Sequence, residues 1–104
     1  MVIVQGVFRV DPNERERFLA QSTDNMQASR ADKGCLEYVL AADPLDPGRV
    51  ILSERWESPE DLNQHGKAVA ARRKEAQASG IDLGPSPLST EITVYEVASS
   101  RPLV

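Results

Sequence analysis

The sequence predicts a single α+β domain whose elements follow one another in the order β-α-β-β-α-β. Three observations predict this order. Alternating β-favouring residues mark four strands, an Asp-Pro and a Ser-Pro pair mark two helix starts, and a turn-rich segment over 43–48 joins the two middle strands. At 104 residues the chain can bury one hydrophobic core but not two, so we expect one domain over residues 1–104.

The first strand and the first helix are predicted near the N-terminus. Residues 2–10 alternate and carry apolar side chains on both faces, which indicates a strand that is at least partly covered on both sides. Asp11 then supplies a helix N-cap, and Pro12 stands at the first helical position. The residues at helical spacing are Phe18, Leu19, Ser22 and Met26. We expect this helix to run from Pro12 to Asp32 and to stop at Gly34.

The middle of the chain predicts a β-hairpin followed by a second helix. Strands are expected over 35–42 and 49–57, because both alternate and the segment between them reads Asp-Pro-Leu-Asp-Pro-Gly. Ser58-Pro59 repeats the helix-start signal, and Gly80 is the expected C-cap. The inward stripe of this helix comprises Leu62, His65, Val69, Arg72 and Ala76. A fourth strand is expected over 90–98.

The hairpin register predicts the composition of both sheet faces. Alternation places Ala41 opposite Ile51, and therefore Glu37 opposite Arg55 as an ion pair on one face. The other face carries six larger side chains, namely Leu36, Tyr38, Leu40, Leu52, Glu54 and Trp56. In this register Leu36 lies opposite Trp56. We expect this second face to form the wall of a pocket.

The element order is that of the ferredoxin-like split βαβ fold, a four-stranded antiparallel sheet with two helices on one face. The strands carry apolar residues on both sides, so a monomer would expose a large apolar patch on the face that the helices leave open. A second copy that presses its sheet against the first would cover this patch. We therefore expect a homodimer formed through the sheet face.

Composition excludes several kinds of partner. The chain is 40% hydrophobic and 27% charged with a net charge of -4, which is typical of a soluble globular protein and argues against nucleic-acid binding. The basic cluster over 72–74 is expected to be a solvated helix face. No apolar run reaches the roughly 20 residues of a membrane span, so no membrane partner is expected. The N-terminal residues lack the features of a secretory signal, and a cytoplasmic location is expected.

The sequence also lacks the common motifs for binding a metal or a cofactor. One cysteine and one histidine cannot provide a disulfide or a His-rich metal site, and no Gly-rich nucleotide-binding loop is present. We therefore expect neither a metal nor a bound cofactor. Cys35 is interpreted as a small buried hydrophobic residue.

Glu54 and His65 are the candidate catalytic residues. A glutamate among Leu, Tyr and Trp side chains must find a hydrogen-bond donor or become protonated, and His65 on the inward stripe is the expected donor. Two interpretations stay open. The pair can be a structural latch between strand and helix, or it can accept a proton from a substrate. Trp56 and Tyr38 likewise fit either the core or the wall of a binding site.

Two motifs carry a family resemblance. The first is Gly34-Cys35-Leu36-Glu37-Tyr38, and the second begins Glu54-Arg55-Trp56 and ends at His65. Together with the turn between them they resemble the antibiotic biosynthesis monooxygenase domain family, whose pattern is Gly-Cys, a nearby Tyr, Glu-x-Trp, a helix start and a His nine residues after the Trp. The resemblance covers essentially the whole domain. It implies ferredoxin-like domains that pair into a dimeric α/β barrel.

The resemblance also implies a cofactor-independent monooxygenase that oxidises a small phenol, hydroquinone or polyketide-like aromatic with O₂. In this sequence His65 or Glu54 would accept the phenolic proton while Trp56 and Tyr38 orient the ring. The remaining residues expected to shape the substrate site are Leu52, Leu62, Phe18 and Met26. Leu52 and Leu62 stand where aromatic-polyketide oxygenases of the family have Asn and Tyr.

Haem is not expected, because Gln5 and Glu75 stand near the positions where haem-degrading relatives have Asn and His. Two other functions stay open. The chain can be a non-catalytic dimeric protein that binds a small aromatic, or an isomerase or cyclase of the same fold that uses the same base without O₂.

Overall fold

The computed structural model describes all 104 residues and has the predicted element order. The strands are β1 (Val2–Arg9), β2 (Cys35–Ala42), β3 (Arg49–Trp56) and β4 (Ser89–Glu96), and the helices are α1 (Arg15–Ala31) and α2 (Pro59–Ala78). All strand pairs are antiparallel, and the strand order across the sheet is β2-β3-β1-β4. The α+β ferredoxin-like fold is therefore confirmed. Neither helix is long and apolar enough to cross a membrane.

The helix starts follow the capping signals in the sequence. The Asp11 carboxylate accepts a hydrogen bond from the Asn13 N–H, but the first turn after it, Pro12–Glu14, is a 3₁₀ helix and α1 begins at Arg15. At α2 the Ser58 hydroxyl accepts from the Asp61 N–H at 3.1 Å, which satisfies one of the free N–H groups of the first turn. These caps explain why both helices start close to the predicted positions.

The hairpin register is confirmed over most of its length. Ala41 lies opposite Ile51, and the Arg55 guanidinium lies 3.7 Å from the Glu37 carboxylate. The predicted pairing of Leu36 with Trp56 is wrong. An irregularity between Cys35 and Glu37 inserts one extra residue into β2, so Cys35 lies opposite Trp56 while Leu36 is exposed.

The core between sheet and helices consists of two clusters. The larger contains Val2, Val4, Tyr38, Leu52 and Trp56, and the partly buried residues around it include Met26, Cys35 and Leu62. The smaller contains Val10, Phe18 and Val50. Val50 and Trp56 stand at opposite ends of β3, so Phe18 packs about 20 Å from Trp56 along the strand. The candidate residues Leu52, Leu62 and Met26 thus adjoin Trp56, whereas Phe18 does not.

The helices leave two parts of the sheet uncovered. Every residue of β4 is exposed, including Ile92 and Val94, which the register places beside Gly6 and Val4 on the helix side. The face away from the helices bears an open groove of about 530 Å³. Apolar surface therefore remains on both faces of the sheet.

Gly34 should be sensitive to substitution because its backbone and its surroundings both require glycine. It has φ +80°, and a Cβ atom there would collide with the Asp61 side chain. Gly34→Ala is expected to lower the free energy of unfolding by about 1–3 kcal/mol, measured by urea denaturation. Gly80→Ala is the control, because Gly80 has φ +71° but open space around the added methyl group. Equal losses in the two variants would contradict the close packing at Gly34.

Candidate functional site

The candidate site lies where the end of β3 meets the first turns of α2. Alternation along β3 directs Glu54 and Trp56 to the helix side, and the inward stripe of α2 places His65 above them. Trp56 is fully buried, Glu54 and His65 are each 6% exposed, and Tyr38 is also buried. The structure thus brings together the four side chains that were singled out in the sequence.

The His65 ring packs against two aromatic side chains. Its centroid lies 4.4 Å from that of Trp56 with 31° between the ring planes, and 5.4 Å from that of Tyr38 with 59° between the planes. The imidazole therefore faces the interior and adjoins the indole. These contacts restrict its rotation, and its two nitrogens lie near different carboxylates.

The hydrogen bond expected between His65 and Glu54 is not formed. His65 Nε2 lies 3.7 Å from Glu54 Oε1, which is beyond hydrogen-bond distance, and Glu54 accepts instead from Trp56 Nε1 at 2.9 Å. Residues two apart on a strand share a face, so the indole N–H can reach this carboxylate directly. Burial raises the pKa of Glu54, and the Trp56 hydrogen bond and the nearby His65 offset that rise only in part.

Asp32 is the partner of His65 that the sequence analysis missed. Its Oδ2 atom lies 2.8 Å from His65 Nδ1. Asp32 follows the last turn of α1, and the turn it begins is tied to the end of β3 by the Glu57 N–H, which donates to the Gly34 carbonyl at 2.9 Å. This connection holds the carboxylate beside α2.

Arg72 completes the group around Asp32. Its Nη1 and Nη2 atoms donate to the two carboxylate oxygens at 3.2 and 3.1 Å. Burial acts to raise the pKa of Asp32, but the hydrogen bonds from Arg72 and His65 outweigh it, and the pKa lies below its usual value. Arg72 lies on the inward stripe, as its spacing from His65 predicted, so the expectation that residues 72–74 form a solvated face is wrong at this residue.

Tyr38 is held as a neutral phenol. Asn25 Nδ2 donates to the Tyr38 hydroxyl at 3.2 Å. Burial and the charge of Glu54 raise the pKa of Tyr38, and the Asn25 hydrogen bond opposes this effect without cancelling it. The hydroxyl is therefore suited to hydrogen bonding or ring orientation rather than to accepting a proton.

The four side chains pack directly against one another rather than lining the pocket that was expected on this face. One cleft, of about 270 Å³, reaches the His65–Asp32 pair from the surface near the start of α2. Another, of about 290 Å³, lies between the two helices and reaches Asn25 and Arg72. No group of three His, Cys, Asp or Glu side chains is placed to hold a metal ion.

Sequence comparisons place this architecture in a known family. The profile of the antibiotic biosynthesis monooxygenase family matches residues 1–77. The chain is 26% identical over 94 residues to the "Putative monooxygenase YcnE" of Bacillus subtilis, covering 86% of this chain and 99% of that protein. It is also 26% identical over 102 residues to the uncharacterized protein sll1783 of Synechocystis, covering 98% of this chain and 67% of that protein.

Solved structures share the fold over nearly the whole chain. The crystal structure of a "putative antibiotic biosynthesis monooxygenase" from Deinococcus radiodurans has a TM-score of 0.78 at 21% identity and covers 100% of this chain and 99% of that one. Rv0793 from Mycobacterium tuberculosis has a TM-score of 0.71 at 25% identity and covers 97% and 98% of the two chains.

Proposed function

The chain belongs to the antibiotic biosynthesis monooxygenase family, and from this premise we propose that it is a cofactor-independent monooxygenase that oxidises a small phenol or hydroquinone with O₂. The observation that carries the proposal is the buried gap of 3.7 Å between His65 Nε2 and Glu54 Oε1, beside the Trp56 indole. A hydroxyl oxygen can lie within about 2.8 Å of both atoms at once. The gap is too narrow to hold an atom between the two, so we propose that a phenolic hydroxyl contacts both atoms from one side, at a position that opens when neighbouring side chains move.

In the proposed reaction His65 is the base. An ionised Asp32 can only accept a hydrogen bond, so Nδ1 carries the proton and Nε2 keeps the lone pair that faces the gap. The phenolic O–H bond breaks, its proton goes to Nε2, and the electron pair stays on the oxygen. The phenolate then reduces O₂. One oxygen atom replaces a ring hydrogen to give a quinone, the other leaves as water, and the substrate supplies all four electrons.

Glu54 serves the proposed reaction through its position beside the same gap. Because burial raises its pKa, the carboxyl group can hold a proton above the pH range usual for glutamate. It can thus exchange a proton with a bound hydroxyl, while the Trp56 N–H keeps its oxygen in place.

The ring of the substrate would lie against Trp56 and Tyr38. Leu52, Leu62 and Met26 adjoin these two side chains and are proposed to complete the binding site. Leu62 and Met26 are only partly buried, so we propose that they move aside to admit the ring. Phe18 belongs to the other cluster and is left out of the proposed set.

We further propose that two copies pair through the sheet face away from the helices. Val7 and Ile51 line the open groove on that face, and the half-exposed Tyr95 lies on the same face beside Ile3. Apolar side chains on an exposed sheet face are typical of an interface. The family resemblance supports the same arrangement, and the molar mass in solution is the direct measurement.

The function is tested by following dissolved O₂ with a panel of hydroquinones and dihydroxynaphthalenes in buffer that contains a metal chelator. We expect the native chain to consume O₂ and His65→Ala to be slower by about 10²–10⁴-fold, the usual contribution of a general base. Asn63→Ala, on the exposed face of α2, is the control. Binding without O₂ uptake would favour a non-catalytic binding protein, and turnover without O₂ uptake would favour an isomerase or cyclase.

A further inference from the structure

Asp32 and Arg72 form an ion pair that joins the segment after α1 to α2. Asp32 lies just beyond α1, and both of its side-chain partners, His65 and Arg72, belong to α2. The Asp32 side chain is 20% exposed and borders the cleft of about 270 Å³, whereas the His65 side chain is 7% exposed. Both residues line that cleft, and the carboxylate is the more exposed of the two.

The hydrogen bonds determine which nitrogen of His65 is protonated. A carboxylate has no proton to donate, so the 2.8 Å contact requires a proton on Nδ1. The other nitrogen, Nε2, then has a free lone pair, and it is the atom that faces Glu54 across the 3.7 Å gap. With the opposite tautomer, Nε2 would donate a hydrogen bond and could not accept a proton.

Arg72 orients the carboxylate that determines the tautomer of His65. It donates to both oxygens of Asp32, which fixes the plane of the carboxylate and favours its ionised form. One of those oxygens, Oδ2, also accepts from His65. The geometry is that of a base held by a carboxylate, which is in turn held by a guanidinium.

We propose that Asp32 and Arg72 are positioning residues, which hold His65 in the tautomer that makes Nε2 the base of the reaction. This inference rests on the proposed function, because it concerns the base of that reaction. In an Asp32→Asn variant Arg72 would keep the amide oxygen, and the amide NH₂ group would then face Nδ1. The imidazole would therefore change to the tautomer with a proton on Nε2.

The tautomer can be observed without any substrate. His65 is the only histidine, so ¹⁵N spectra of the ring in the full chain contain a single imidazole and need no assignment among several. We expect the native chain to show a protonated Nδ1 and Asp32→Asn to show a protonated Nε2. A native chain with a protonated Nε2, or an Asp32→Asn variant that keeps the native tautomer, would overturn the proposal.

A second, kinetic experiment measures O₂ uptake by the same proteins. Asp32→Asn is expected to lower kcat by at least about 10²-fold while KM changes less than about threefold, since a wrong tautomer removes the base and leaves ring binding intact. Glu60→Gln is the matched control, because Glu60 borders the same cleft and makes no hydrogen bond to His65. An unchanged kcat in Asp32→Asn would also overturn the proposal.

If Asp32→Asn does not fold, Arg72→Gln provides a second test of the proposal. It leaves the Asp32–His65 hydrogen bond available, so we expect the native tautomer. The expected loss of kcat is about tenfold, which is smaller than the loss in Asp32→Asn. An unchanged kcat in Arg72→Gln would overturn the role of Arg72. If the native chain consumes no O₂ with any substrate, the proposed function fails, while the spectra still decide the tautomer.

Discussion

Replacing Trp56 by alanine is expected to lower the free energy of unfolding by about 3–5 kcal/mol. The indole is fully buried and belongs to the larger core cluster, so its removal leaves a cavity that the sheet cannot close. The change also leaves the Glu54 carboxylate without its 2.9 Å donor, at a further cost of about 1–3 kcal/mol. Since small domains are stable by only about 5–15 kcal/mol, the variant should lose most of its stability.

The measurement is urea denaturation followed by far-UV circular dichroism, because Trp56 is the only tryptophan and its fluorescence is lost in the variant. Trp56→Phe also removes the N–H donor but keeps a six-membered ring in the core, so the difference between the two variants measures most of the effect of the cavity. Leu45→Ala removes an almost fully exposed side chain in the hairpin turn and should change stability by less than about 0.5 kcal/mol. A Trp56→Ala loss no larger than that of Leu45→Ala would show that the indole does not anchor the core.

The fold could be predicted because its signals are local. Alternation marked the strands, and Asp11 and Ser58 marked helix starts that the structure confirms as side-chain caps. The irregularity at Leu36 could not be predicted from alternation, because an extra residue in a strand depends on what the neighbouring side chains pack against. Cys35 packs against the larger cluster, whereas Leu36, the next residue along β2, is exposed.

The residues of the site could be predicted from the sequence, but the hydrogen bonds among them could not. Strand alternation and the α2 stripe were enough to place Glu54, Trp56 and His65 on facing surfaces. Alternation does not determine which rotamer an indole adopts, so the Trp56 donor to Glu54 was missed. Asp32 follows a helix end outside any periodic segment, and its contact with His65 depends on how α2 packs against the turn after α1.

One signal for Asp32 was nevertheless present in the sequence. Arg72 falls on the same stripe as His65, and a guanidinium directed toward the interior requires a carboxylate partner. The acidic residue immediately before the Lys33-Gly34 turn was a reasonable candidate for that partner. An inward-facing arginine on a predicted helix therefore deserves a search for a carboxylate at the adjoining loop ends.

Glu54→Gln is expected to reduce O₂ uptake by about 10²–10⁴-fold while it raises stability at neutral pH. Burial raises the pKa of Glu54, so the folded state holds its proton more tightly than the unfolded chain does. The native protein therefore loses stability as pH rises from the usual pKa of glutamate, about 4.3, through the higher folded value. Glutamine removes this loss, and its amide oxygen can still accept from the Trp56 N–H.

Asp32 changes the stability of the protein with pH in the opposite direction, and this effect must be separated from that of Glu54. Its pKa is lowered in the folded state, so it stabilises the protein above its usual pKa of about 3.9, and this contribution is lost as pH falls through the lower folded value. Urea denaturation of the native protein and Glu54→Gln should therefore be compared at pH 4, 5.5 and 7.5. The stability difference in favour of the variant should grow across this series, whereas the contribution of Asp32 is common to both proteins and cancels.

This comparison separates the two interpretations of the buried carboxylate. A structural latch exists because it stabilises the fold, so its replacement should cost stability at every pH and leave any turnover intact. A carboxylate retained for chemistry is buried at a cost, so stability and activity should change in opposite directions when it is replaced. Glu37→Gln is the control, because Glu37 lies on the other sheet face, paired with Arg55 and Ser53, and should affect neither quantity in this way. A Glu54→Gln variant that is less stable at pH 7.5 and equally active would identify Glu54 as a latch.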